Sequence, residues 1–158
     1  MAQARLIYFE WHPEPLDRGQ ALKRVANELR RTKVPIANSI VNVMVPSITE
    51  NFKSRGRPGW KPLAARTVAL KGNDRPLVDT GKLMKSVTGI DAWNIDDGEA
   101  SLTGKPHYGP LHNTGFFNVR YKVNVPARVW AMYHDQDIDN VVEEFVDWME
   151  GVFNREYN

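Results

Sequence analysis

The sequence predicts an α+β domain, a small antiparallel sheet flanked by N-terminal helices and closed by a C-terminal amphipathic helix. Three observations carry that expectation. Apolar residues recur every three or four positions over 22–52 and again over 138–152, the period of helices that bury one face. Between these stretches, 87–103 and 119–125 have the branched and aromatic content of short strands around turns. The chain has 158 residues, 42% of them apolar and 25% charged, which is one ordinary domain with enough apolar content to bury a core. A single domain over 1–158 is expected, with 1–16 as an N-terminal extension or short strand.

Leu6-Ile7-Tyr8-Phe9 with Trp11 reads as that short strand, ended by Pro13 and Pro15. A helix is expected from Asp17, whose carboxylate can accept the free amides of the first turn, with Leu22, Val25 and Leu29 on one face. Pro35 breaks it or opens the next. Ile36, Ile40, Met44, Ile48 and Phe52 then recur every four residues. Pro46 interrupts them, so a kink or two abutting helices are expected, with Ser47 and Glu50 as a capping box at the restart. Residues 53–62, KSRGRPGWKP, read as a loop, followed by a short helix from Leu63 to about Lys71 and a turn over Lys71-Gly72-Asn73-Asp74. Asp79 or Thr80 can cap a brief helix through Ser86. Val87 to Asn94 and Glu99 to Thr103 read as strands joined at Asp96-Asp97-Gly98. The turn-rich 105–116 has room for one helical turn. Val119, Tyr121, Val123 and Val125 alternate with Arg120, Lys122 and Asn124, as in a half-buried strand. The last helix carries the stripe Ile138, Val141, Val142, Phe145, Met149 and Val152, with Asp135, Asp137 and Asp139 suiting its N-terminal dipole.

Several function classes have little support. The absence of cysteine removes disulfides and thiolate metal sites and suits a reducing compartment. No stretch approaches the ~20 apolar residues of a membrane span, and the opening residues do not read as a secretory signal. Synthesis and assembly in the cytoplasm, without a membrane partner, are therefore expected. His107 and His112 lack the spacing and the intervening glutamate of a helical zinc motif. Asp135-Gln136-Asp137-Ile138-Asp139 begins like a calcium loop, but Asn140 and Val146 stand where glycine and a bidentate glutamate belong. No nucleotide-binding or hydrolase signature occurs, so no catalytic residue, metal or cofactor is expected.

Charge is unevenly distributed. Residues 1–86 hold 16 of the 21 Lys and Arg but 7 of the 19 Asp and Glu, a balance of +9, whereas 87–158 hold 5 and 12, a balance of −7. Two such ends can attract each other between subunits, or the basic half can face phosphates. Lys53, Arg55, Arg57 and Lys61, interleaved with Phe52 and Trp60, are the candidates for facing DNA or a neighbouring subunit.

Five elements occur in order: Phe52, Trp60-Lys61-Pro62-Leu63, Leu77 to Ser86, Tyr108 to Gly115, and Pro126-Ala127-Arg128. Together they resemble the phage virion-morphogenesis family, which includes the tail-completion proteins of Mu-like and P2-like phages. Val129 and Trp130 depart from that family's usual residues after Pro-Ala-Arg. The resemblance marks Trp60, Pro62, Leu63, Asp79, Thr80, Gly81, Leu83, Ser86, Tyr108, His112, Gly115, Pro126 and Arg128 as structural or interface positions. It implies a non-enzymatic virion protein of the neck or tail, completing the tail and joining it to the DNA-filled capsid. It also implies a homo-oligomer, a hexameric ring, that meets the tail terminator or tail tube and the head connector, with non-specific DNA contact through a basic lumen. From the residues themselves, Arg128 has the donors to fix a carboxylate or carbonyl at a subunit boundary. A basic, non-specific DNA-binding module is the alternative reading, and a hydrolase using His112 with an acid the third.

Overall fold

The structure, a computed structural model, describes residues 15–102 and 106–157. The strand expected at 6–11 lies outside them. Among the described residues the architecture is α+β, with helices at both ends and two separate two-stranded antiparallel sheets between them.

Helix α1, Pro15–Glu28, begins two residues before Asp17. Ala21 and Val25 form its buried face, whereas Leu22 is exposed, one residue off the stripe expected from spacing alone. It packs on the last helix, α7, Asp135–Tyr157. Arg24 reaches the Glu156 carboxylate at 3.6 Å, so part of the charge asymmetry is used inside the subunit.

The four-residue stripe becomes three abutting helical segments: α2, Lys33–Ser39, a π turn, Ile40–Met44, and α3, Val45–Lys53. The interruption precedes Pro46. A proline ring crowds the carbonyl four residues back, here that of Asn42, and the wider π turn gives that carbonyl room. Ile40, Met44, Ile48 and Phe52 are buried as their spacing requires. The expected capping box does not form. No side chain caps α3, because Met44 and Val45 continue the helical path and leave no free end.

Helix α4, Ala65–Lys71, ends at Gly72 in the left-handed conformation. Helix α5, Lys82–Thr88, starts at Gly81, whose φ of 75° turns the incoming chain away from the helix. Asp79 and Thr80 are consequently exposed and cap nothing. The helix also runs on through Val87, which is fully buried, so the strand expected from 87 begins only at Trp93. Strands β1, Trp93–Asp96, and β2, Glu99–Leu102, pair with Asp96 opposite Glu99 around a turn at Asp97-Gly98. The turn is fastened to the α1–α2 junction: the Lys33 amide donates to Asp97 Oδ1 at 2.9 Å and the Gly98 amide to Thr32 Oγ1 at 2.6 Å.

Helix α6, Gly109–Thr114, follows, and then β3, Phe116–Asn118, and β4, Val123–Val125, pair as a hairpin. This corrects the single strand expected over 119–125. Lys122 takes a φ of 51° and the Tyr121 amide donates to Asn118 Oδ1, so the alternating residues form an exposed tip instead of one buried face.

The core joins Ile48 and Phe52 of α3, Trp60, Leu83 and Val87 of α5, and Trp130. Phe52 meets the Trp60 ring edge-on at 5.8 Å and the Trp130 ring at 6.2 Å. Each such side chain contributes roughly 1.5–3 kcal/mol by leaving water.

Candidate functional site

The motif residues converge on one strap, residues 126–130, which runs between otherwise distant parts of the chain. Trp60 Nε1 donates to the Val129 carbonyl at 3.0 Å. Arg128 sends Nε and Nη2 to the Lys61 carbonyl at 3.1 and 2.9 Å, with Nη2 3.5 Å from the Pro62 carbonyl. The Arg128 amide donates to the His112 carbonyl at 2.7 Å. Trp130 completes the set: its amide bonds Asn113 Oδ1 at 2.9 Å, and its indole N–H bonds the Gly109 carbonyl at 3.0 Å.

Glycine permits two of these approaches. A Cβ at Gly109 would lie 3.1 Å from Leu83 Cδ1 and 3.3 Å from the Trp130 ring. At Gly115, with φ 73°, it would lie 2.8 Å from the Ala127 amide nitrogen and 2.9 Å from the Val125 carbonyl oxygen. The 109–115 element is thus pressed onto the strap, and Leu83 carries the 77–86 element to the same place. Pro126 sits inside this crossing, Ser86 donates to the Leu83 carbonyl, and Leu63 is half-buried. Arg128 does fix carbonyls, as its chemistry suggested, but they belong to its own subunit and it is buried.

His112 stacks edge-on with Tyr108 at 6.2 Å and Phe116 at 5.5 Å. Burial, reinforced by the Arg128 guanidinium, holds its pKa below the usual histidine value. Its Nδ1 is buried without a hydrogen-bond partner among the described residues. No acid stands beside it in these contacts, so they assemble no acid–base pair. Among the described residues there is no group of three side chains able to hold a metal ion, and no helix is long and apolar enough to cross a membrane.

The basic loop differs most from expectation. Arg57 turns inward instead of toward phosphates. Its Nε donates to Asn51 Oδ1 at 2.9 Å, and Nη2 donates to the Ser47 carbonyl and Oγ at 2.7 and 2.8 Å. Ser47 Oγ in turn donates to Asp137 Oδ2 at 2.5 Å, an oxygen that also accepts the His134 amide at the start of α7. Asn51, fully buried, donates to the Trp130 carbonyl at 3.1 Å. This chain of polar contacts joins α3, the loop, the strap and α7. Arg55 is also engaged, through two nitrogens on the Asp74 carboxylate at 2.8 and 3.1 Å, which lowers the pKa of Asp74. Lys53 and Lys61 remain exposed, as does Arg66. The missed network had a faint signal: Ser47 and Asn51 are four residues apart, immediately beside the apolar stripe.

Helix α7 is acidic, with eight Asp and Glu against one Arg. Its apolar stripe is only partly covered. Val152 is buried, whereas Ile138 and Val142 are exposed and line an open apolar cleft of about 320 Å³ with Ile36, Ile40, Met44 and Phe145.

In comparison with known proteins, the chain is 31% identical over 131 residues to the Mu-like prophage FluMu G protein 2 of Haemophilus influenzae, which covers 82% of this chain and 87% of that protein. No family model matches the chain. No solved structure matches it.

Proposed function

Because the chain belongs to the phage virion-morphogenesis family and has a structural role in phage assembly, we propose that it completes the tail and joins it to the DNA-filled capsid, acting at the neck as a homo-oligomeric ring. One observation carries this reading. The motif side chains Trp60 and Arg128, with Trp130 beside them, are spent on holding the subunit together around the strap, while uncovered apolar surface and charge of opposite sign are left outside. A protein built in this way offers a rigid block for assembly, and large exposed apolar patches mark protein contacts. A closed ring requires two different patches of one subunit to meet, and the acidic α7 and the basic N-terminal half supply opposite signs. Six copies match the symmetry expected of a tail.

The alternative of a basic DNA-binding module is weakened by the engagement of Arg55 and Arg57 within the subunit. Lys53, Lys61 and Arg66 are left to face phosphates in a lumen, as backbone contacts that read no sequence.

Electron microscopy of particles made without the protein tests the proposal. Finished tails lying beside DNA-filled, unjoined heads are expected. Normal joined particles would overturn it.

A further inference from the structure

The β3–β4 hairpin is an arm that packs Phe116 on His112 but leaves most of its other large apolar side chains exposed. Phe117 is 56% exposed, Val119 77%, Tyr121 62% and Val123 49%. Aromatic residues such as Phe117 and Tyr121 are enriched in contact cores. The hairpin forms a sheet of its own, unpaired with β1 and β2. Its charge has one sign: residues 116–128, FFNVRYKVNVPAR, include Arg120, Lys122 and Arg128 and no acid. Arg128 is buried in the strap, so Arg120 and Lys122 set the character of the arm.

The cleft along α7 is its complement. Its floor is apolar, formed by Ile36, Ile40, Met44 and Phe145. Its rim is apolar as well, with Ile138 and Val142 each 55% exposed. Asp135 and Asp139, both exposed, stand three residues from Ile138 and Val142 on the helix, and exposed Glu143 lies one turn beyond Asp139. A cleft of about 320 Å³ is at the small end of the range that encloses ligand-sized apolar groups. Phe117 and Tyr121, 56% and 62% exposed, have roughly 180–300 Å² left to bury together, about a quarter to a third of the roughly 800 Å² that each partner contributes to a standard interface.

We propose that the 116–125 arm of one copy seats in the α2–α7 cleft of the next, with Phe117, Val119 and Tyr121 on the apolar floor and rim, and Arg120 and Lys122 against Asp135, Asp139 and Glu143. The occupant is a second copy of this chain. The two patches differ, so the contact is head-to-tail and repeats in one direction until it closes, which two like patches cannot do. The inference rests on the ring reading given above and names the surfaces that build the ring.

The absence of native cysteine makes a clean test available. Val119→Cys and Val142→Cys each replace an exposed side chain. The full-length variants are mixed, oxidised mildly and resolved without reductant, both in solution and after incorporation into particles. A disulfide between the two variants is expected, with a ladder of multimers from the double variant. Arg120→Glu with Lys122→Glu should weaken self-association at least tenfold, and adding Asp139→Lys with Glu143→Lys should restore part of the loss. Crosslinks of Val119→Cys only to itself, or of Val142→Cys only to itself, would overturn the proposal. So would a Val142→Cys thiol shielded in the isolated monomer, because the same chain would then fill the cleft. Native mass spectrometry separates the two readings. Rings without the 119–142 crosslink overturn this inference alone, whereas no oligomer in solution or in particles overturns the ring as well.

Discussion

Replacing Arg57 with Met should destabilise the subunit, although a cation in a Gly- and Pro-rich loop ordinarily tolerates change. The guanidinium makes three bonds of 2.7 to 2.9 Å to Asn51 and Ser47. Hydrogen bonds from charged groups contribute about 1.5–3 kcal/mol each, but two of these share one nitrogen and the site is partly exposed. Methionine would also leave Asn51 Oδ1 and the Ser47 carbonyl short of a donor, and would remove the cation that faces Asp137 through the Ser47 hydroxyl. A loss of about 3 kcal/mol follows, roughly a fifth to three fifths of the ordinary stability of a domain. In a chain of this length that lowers the melting temperature by about 6–12 °C. Urea titration and thermal melting of Arg57→Met measure it directly. Lys53→Met and Lys61→Met are the controls and should stay within about 0.5 kcal/mol of the parent. If Arg57→Met melts with those controls, the inward network does not hold the loop.

Trp60→Ala removes an indole packed on Phe52 and a bond to the strap, and should cost about 3–5 kcal/mol by denaturant titration. Gly115→Ala forces a Cβ within 2.9 Å of backbone at positive φ and should reduce the yield of folded protein sharply, whereas Gly151→Ala, with nothing within 4 Å, should be neutral or stabilising by thermal melting. His112 titrates below its ordinary value when folded, so the unfolded chain takes up the proton first. Its contribution to stability is complete above the unfolded pKa of about 6.5 and falls as pH drops below it. Urea midpoints at pH 7.5 and 5.5 should therefore diverge more for the parent than for His112→Asn.

Much of the fold was legible because burial follows helical period. Ile40, Met44, Ile48 and Phe52 lie where their spacing puts them. The failures share a cause. Val119 to Val125 alternate as a strand does, but alternation records two unlike faces and not what covers either, so a projecting hairpin gives the same pattern. Asp79 and Thr80 are good capping residues, overridden by the left-handed entry at Gly81. The direction of Arg57 depends on acceptors ten residues and a helix away, and no local rule reports them. The motif elements were visible as separate phrases. Their meeting at 126–130 is a tertiary fact, set by contacts between residues up to 79 positions apart.

The strap also bears on how such a protein can drift in sequence. Arg128, Trp60 and the Trp130 indole all donate to main-chain oxygens, those of Lys61, Val129 and Gly109. A main-chain acceptor is present whatever side chain accompanies it. Lys61 and Val129 can therefore change freely in charge and shape without loosening the frame, and both are exposed. The donors form a fixed lattice beneath an editable skin, so the same block can be refitted to differently shaped neighbours by substitutions that leave its interior unaltered.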